Sequence, residues 1–201
     1  MRVNNKFRQF EAPAFYHVYN RGVAKQPVFL DEQDKCKFLS LIDRYTCNSH
    51  HEIRGDGLPY QTFDIKITAY CLMTNHFHLF IYQEQDAQQI SHFMKSLTTA
   101  YSMYFNLRYK RKGPVFEGMF QASHMTDESH FQHLSRYIHL NPRYYRTYKW
   151  SSLPEYLGAR DTPWLYPSLV NDMPPKRYLE FLEDYEDKKQ LLKQLKTDLG
   201  L

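Results

Sequence analysis

Cysteine is scarce in this sequence: Cys36, Cys47 and Cys71 are odd in number and widely spaced. That spacing argues against a disulfide framework or a zinc knuckle, and the three residues read as thiols of an apolar core. Nor does any apolar run approach the roughly 18 residues that a membrane span needs. Residues 1–10 are polar and basic and lack the apolar centre of a signal peptide. The expected setting is therefore cytoplasmic, with no membrane partner. At 42% apolar and 24% charged, the chain has ordinary globular composition, and disorder is not indicated.

What is present is a chain of 201 residues, long enough for one sizeable core with an appendage. Net charge is +4, unevenly spread: residues 161–201 hold eight acids and six bases, which leaves +6 on the first 160. A basic excess of this size suits a polyanionic partner without requiring one.

The stretch AYCLMTNHFHLFIY (69–82) organises the rest. It is short, apolar, aromatic and β-branched, as a buried central strand would be, and residues two apart on a strand share a face. His76 and His78 therefore project side by side. Two buried imidazoles need either satisfied hydrogen bonds or a metal, and the spacing alone leaves both open. Further on, ESHFQHLSRYIHLN (128–141) places Phe131, Leu134 and Ile138 at helical intervals. Tyr137 and Asn141, four apart, fall on one face of that helix. A phenol and an amide opposite a two-histidine strand are a nucleophile and an oxygen ligand, a constellation suited to phosphodiester cleavage.

The remaining elements fall into place around these two. Residues 15–19 form a first strand carrying His17, which reads as a packed core histidine outside the site, and a turn at 20–22 follows. Asp31 caps a helix over 32–47. A loop spans 48–59, with His50 and His51 solvated, and a second strand runs over 62–72. A long helix over 86–109 buries Tyr101 and Tyr104 in its apolar stripe. The basic cluster Arg108, Lys110, Arg111 and Lys112, with Tyr109 interleaved, suits phosphate contact and base stacking. Residues 114–125 alternate as a fourth strand. Strand, helix, strand, strand, helix, strand is the order of a ferredoxin-like split βαβ unit. The expected class is α+β. Domain bounds fall at 1–158 and 159–201, the latter ending in an amphipathic helix from Lys176 through Leu199 that either covers the body or pairs with a second copy.

Five segments together resemble the single-tyrosine HUH transposases, and among them the REP-associated tyrosine transposases of bacteria. They are FYHVYNRG (15–22), YCLMTNHFHLFI (70–81), KGPVFEGMFQASH (112–124), YIHLNP (137–142) and WSSLPEYLG (150–158). The resemblance implies an antiparallel sheet with helices packed on one face and the histidine pair on a central strand. It also implies Mg2+ or Mn2+ held by His76, His78 and Asn141, and attack by Tyr137 to give a 5′-phosphotyrosine. The implied substrate is single-stranded DNA bearing a hairpin, such as REP-like repeats, with a homodimer as one assembly known in the family. Asn20 and Arg21 follow the first strand where relatives lie near DNA, and Arg143, with Tyr144, Tyr145 and Arg146, departs from the relatives' usual Asn-Pro-Val-Arg-Ala while keeping groups able to grip a strand. Thr74 stands where relatives usually have proline. His133, one turn before Tyr137, is a candidate to assist it. Two other readings remain: a silent DNA or RNA hairpin-binding protein, and a metal phosphoesterase that activates water.

Overall fold

The computed structural model describes residues 10–46, 53 and 55–184. Arg2, Lys6, Arg8, Cys47, His50, His51, Tyr185, Leu192, Leu195 and Leu199 lie outside the described residues. Four strands, β1 (Ala14–Arg21), β2 (Ile65–Leu72), β3 (His76–Gln83) and β4 (Gln121–Met125), form one sheet in the order β2-β3-β1-β4, every pair antiparallel. β3 lies between β1 and β2, and β1 between β3 and β4, which is the split βαβ arrangement that the element order predicts.

The two faces of the sheet bury different sets. On one, Tyr16 and Val18 of β1 with Leu79 and Ile81 of β3 pack against α1 (Glu32–Thr46) and α2 (Gln89–Arg108), whose Phe38, Leu41, Ile42, Phe93, Leu97 and Tyr101 are buried there. Asp31 Oδ1 accepts from the Asp34 amide at 3.1 Å, the N-cap bond expected at the start of α1. On the other face, Ala69, Cys71 and Phe80 meet Leu134 and Ile138 of α3 (Phe131–His139), with Tyr156 of α4 (Leu153–Tyr156) and Tyr178 and Leu182 of α5 (Pro175–Glu183) behind them. Packing on one face thus holds for α1 and α2, while α3, α4 and α5 cover the second.

Three sequence expectations shift. Residues 114–120 are not strand: Gly113 and Gly118 hold φ of +95° and +80°, which breaks the extended path, and Val115 and Phe116 are buried as loop residues that bond back to Val23 and bridge Gly22. Their alternation records packing under a loop. Among the described residues Cys36 is exposed on α1 and Cys71 is a core thiol. The final helix described is α5, and it covers the body.

A buried polar network fastens α3 to the C-terminal segment. His139 Nδ1 lies 2.8 Å from the Tyr178 hydroxyl and Nε2 2.7 Å from Ser152 Oγ, Ser135 Oγ lies 2.9 Å from Tyr178, and Ser152 Oγ accepts the Tyr70 amide at 2.8 Å. Burial pushes the His139 imidazole down to about 3, so it is neutral in the fold. The unfolded chain takes up this proton first as pH falls, so the contribution is complete above the ordinary value near 6.5 and is lost progressively between there and about 3. Thermal melts across that window are expected to show stability falling by about 1.4 kcal/mol per pH unit from this ring. A His139→Gln variant, less stable at neutral pH, has a flatter profile; parallel profiles would show that the ring is not the titrating group.

Candidate active site

The face of the sheet beneath α3 carries an unusual row of rings. Period two puts His76, His78, Phe80 and Tyr82 of β3 on that face, and the register opposite them, Arg21↔His76, Tyr19↔His78, His17↔Phe80 and Phe15↔Tyr82, puts the matching residues of β1 beside them. His76 and His78 are neighbours, with ring centroids 5.1 Å apart. α3 crosses above, its apolar stripe seated on Phe80 and Cys71, and this directs Tyr137 downward: the phenol ring stands edge-on to His78 at 5.6 Å and is 7% exposed.

Asn141 reaches the same point by a different route from the expected one. α3 ends at His139 and Leu140 caps it, so Asn141 is not helical. Pro142 disfavours helical backbone at the residue before it. The chain turns instead, the Asn141 amide donating to Ile138 O at 3.4 Å, and the side-chain Nδ2 comes to 3.2 Å from His78 Nε2. The structure therefore brings together all four residues singled out from the sequence, Tyr137, His76, His78 and Asn141.

Burial disfavours the charged form of two imidazoles here, His76 and His17. His76 is half-buried, and burial lowers its pKa against the opposing effect of a hydrogen bond to Asn141 that favours the protonated ring. Its Nδ1 lies 2.6 Å from Asn75 Oδ1, so that nitrogen carries the proton and Nε2 is left with a lone pair. His17 is the packed core histidine expected, fully buried, and it also touches this set: its Nε2 lies 3.0 Å from His78 Nδ1, and burial takes its pKa down to about 3. Its signal in the sequence was parity, since His17, Tyr19 and Arg21 alternate onto one face, but the partner strand cannot be read from one strand alone.

Neutral imidazole is the form that binds metals. Among the described residues no group of three His, Cys, Asp or Glu side chains is placed to hold a metal ion by itself. The set on this face is two imidazoles and an amide, which can offer two nitrogens and one oxygen and leave further positions open. Those residues fit a divalent cation that also takes water or phosphate oxygens.

The outlying candidates divide. Asn20 is buried, donating to Gly118 O at 3.3 Å, and Arg21 is ion-paired with Glu117. Arg108 binds Asp31 and Asp34, both at 2.6 Å, and the Tyr109 hydroxyl donates to Asp34 at 2.9 Å, so these two are committed to an internal clamp. The Asp31 carboxyl is held down at about 2 by Arg108. Lys110, Arg111, Lys112 and Arg143 are exposed, Lys110 at a φ of +50° and Arg143 over the ring of the 71% exposed Tyr144. Arg136 Nη2 lies 2.7 Å from His133 Nδ1, and the His133 ring packs against Phe181 of α5.

Residues 59–141, a span that includes His76, His78, Tyr137 and Asn141, match the sequence model of the family described as "Transposase IS200 like". No curated protein matches the chain in sequence. Among solved structures, the fold is similar to that of a REP-associated tyrosine transposase bound to a REP hairpin, at 13% identity and a TM-score of 0.58, covering 85% of this chain and 95% of that one. A candidate transposase from Deinococcus radiodurans R1 aligns at 13% identity over 69% of this chain and 95% of that one, with a TM-score of 0.41 that is too low to carry an argument. Among the described residues no helix is long and apolar enough to cross a membrane.

Proposed function

We propose, from the premise that this chain belongs over residues 59–141 to the IS200-like transposase family, that it nicks and rejoins single-stranded DNA at hairpin-bearing repeats. The observation that carries the reading is the meeting of one phenol, two imidazoles and one amide on a single face of the sheet. Tyr137 is the nucleophile. Its oxygen forms a bond to phosphorus as the bond to the 3′ oxygen breaks, giving a 5′-phosphotyrosine and a free 3′-hydroxyl. Attack by a 3′-hydroxyl reverses the step, so the bond energy is kept and strands are joined without a nucleotide cofactor.

His76 and His78, through their Nε2 atoms, and Asn141, through its amide oxygen, would hold a divalent cation, Mn2+ being favoured over Mg2+ by two nitrogen ligands. Such an ion, when bound, polarises a nonbridging phosphate oxygen. The chain's own residues do the positioning: the sheet fixes both rings, and packing of α3 fixes the phenol against them. Residues 1–158 form the catalytic part, and within 159–184 Tyr178 and Leu182 buttress α3 from behind.

Hairpin DNA engages the exposed bases. Replacing Lys110, Arg111 and Lys112 together by alanine is expected to weaken binding evenly across sequences and to flatten the dependence of log K on log salt by about 2. Titrations at several salt concentrations read this directly; an unchanged slope places the DNA elsewhere. For the reaction, labelled hairpin DNA is incubated with the full chain and Mn2+, with and without chelator, and run on a denaturing gel. A metal-dependent covalent protein–DNA band is the expected result. Cleavage without that band would identify activated water as the nucleophile, and binding without cleavage would identify a recognition protein.

A further inference from the structure

His17 has no part in the reaction as described, yet it is a fully buried polar ring whose hydrogen bonding runs to His78. The two rings lie nearly parallel, 17° apart, with Nε2 of His17 3.0 Å from Nδ1 of His78. The protons along this line can be assigned in sequence. Asn141 Nδ2, 3.2 Å from His78 Nε2, is a donor, so Nε2 accepts and keeps its lone pair turned toward Asn141. In the uncharged form that a cation would bind, the single N–H of His78 is then on Nδ1, donated to Nε2 of His17. That leaves the proton of His17 on its own Nδ1, a buried atom with no hydrogen-bond partner among the described residues.

An orphaned N–H in an otherwise satisfied interior is a loss to the fold and calls for a compensating role. An apolar ring on the same strand would avoid it, as Phe15 does two residues earlier. We propose that His17 is a positioning residue: it is the acceptor that pins His78 in the Nδ1–H tautomer, so that the Nε2 lone pair is presented where His76 and Asn141 converge to bind a divalent cation. The inference rests on the reading of those three residues as the cation set. Imidazole suits the task because it accepts a hydrogen bond without burying a charge, as a carboxylate at this fully enclosed position would. The same ring stacks on Tyr19 at 5.3 Å and meets Tyr137 edge-on at 6.1 Å, so one side chain sets both the ligand and the wall against which the phenol rests.

The test uses the full chain, with Mn2+ as probe, and two variants. His17→Gln keeps an acceptor able to reach the position of Nε2; His17→Phe keeps a ring and removes the acceptor. In the metal-free protein, long-range proton–nitrogen NMR of the imidazoles is expected to show His78 protonated at Nδ1 in the native protein and in His17→Gln, and shifted toward the other tautomer in His17→Phe. By free-ion EPR, Mn2+ binding is expected to weaken about 10–100-fold in His17→Phe and to stay within about threefold of native in His17→Gln. Native binding that His17→Phe retains in full, or a native His78 protonated at Nε2, overturns the inference alone. A native protein that binds no Mn2+, or whose binding survives replacement of both His76 and His78 by alanine, overturns the cation reading and the inference with it. The native tautomer decides the matter even where a variant does not fold.

Discussion

Replacing Tyr137 by phenylalanine is expected to abolish the covalent protein–DNA species and to lower nicking of hairpin-bearing single strands by about 10⁴-fold or more, the scale on which loss of a covalent nucleophile acts. The fold should not notice. The ring of Tyr137 is packed in the second core and stands edge-on to His78, and phenylalanine keeps both contacts while removing a single oxygen. Hairpin affinity is likewise retained, because the exposed bases assigned to it, Lys110 to Lys112 and Arg143, lie outside that core. The measurement is a time course on a denaturing gel with native and variant protein at equal occupancy by DNA. Cleavage that persists in the variant would transfer the attack to a water molecule and leave Tyr137 as a packing residue. A variant that loses binding as well would show that the phenol contacts substrate before the chemical step. Alanine at this position would not separate these cases, since it opens a cavity in the core and costs about 3–5 kcal/mol.

The sequence made the central strand and the nucleophile's helix legible because their signals are local. Two histidines two apart in an apolar run must share a face, and Phe131, Leu134 and Ile138 fix which side of α3 is buried. The misread positions depend on partners far along the chain. Arg108 and Tyr109 looked like a solvated basic edge, but their acceptors sit 74 and 75 residues earlier, on the first turn of α1. His17 looked like an isolated core histidine because its partner is 61 residues away on a neighbouring strand. Asn141 was assigned to the right place for the wrong reason: the i, i+4 rule put it beneath Tyr137, whereas Pro142 stops the helix and a turn brings it to His78. The apolar residues of 114–120 showed that the segment is buried, but burial alone does not separate a strand from a loop pinned under its neighbours.

That clamp of acids on α1 leads to a second large expected effect, on stability. Asp34 is fully buried and its carboxylate accepts four bonds, from the Leu30 amide at 2.8 Å, Tyr104 at 3.1 Å, Tyr109 at 2.9 Å and Arg108 Nη1 at 2.6 Å. Hydrogen bonds to Asp31 first, and to Asp34, raise the Arg108 guanidinium above its ordinary value, so the positive charge is fixed. Asp34→Ala removes the common acceptor and leaves two phenols, an amide and part of a guanidinium facing a small cavity. Loss of a buried acceptor of this kind costs about 3 kcal/mol, the lower end of the range because Arg108 keeps Asp31. For a chain of this size that is a fall in thermal midpoint of roughly 6–12 °C. The consequence reaches the DNA. α2 ends at Arg108 and its last turn launches Lys110, Arg111 and Lys112, so releasing the clamp loosens the loop that carries these bases. Asp34→Ala is therefore expected to weaken hairpin binding while leaving the rate of tyrosine attack on bound substrate unchanged, since α3 and the side chains of His76 and His78 lie on the opposite face of the sheet. Melting by circular dichroism and single-turnover cleavage at saturating DNA separate the two. A midpoint unchanged from native would mean that water replaces the carboxylate at no cost, and a fall in the saturated rate would mean that the two faces of the sheet are mechanically coupled through β3.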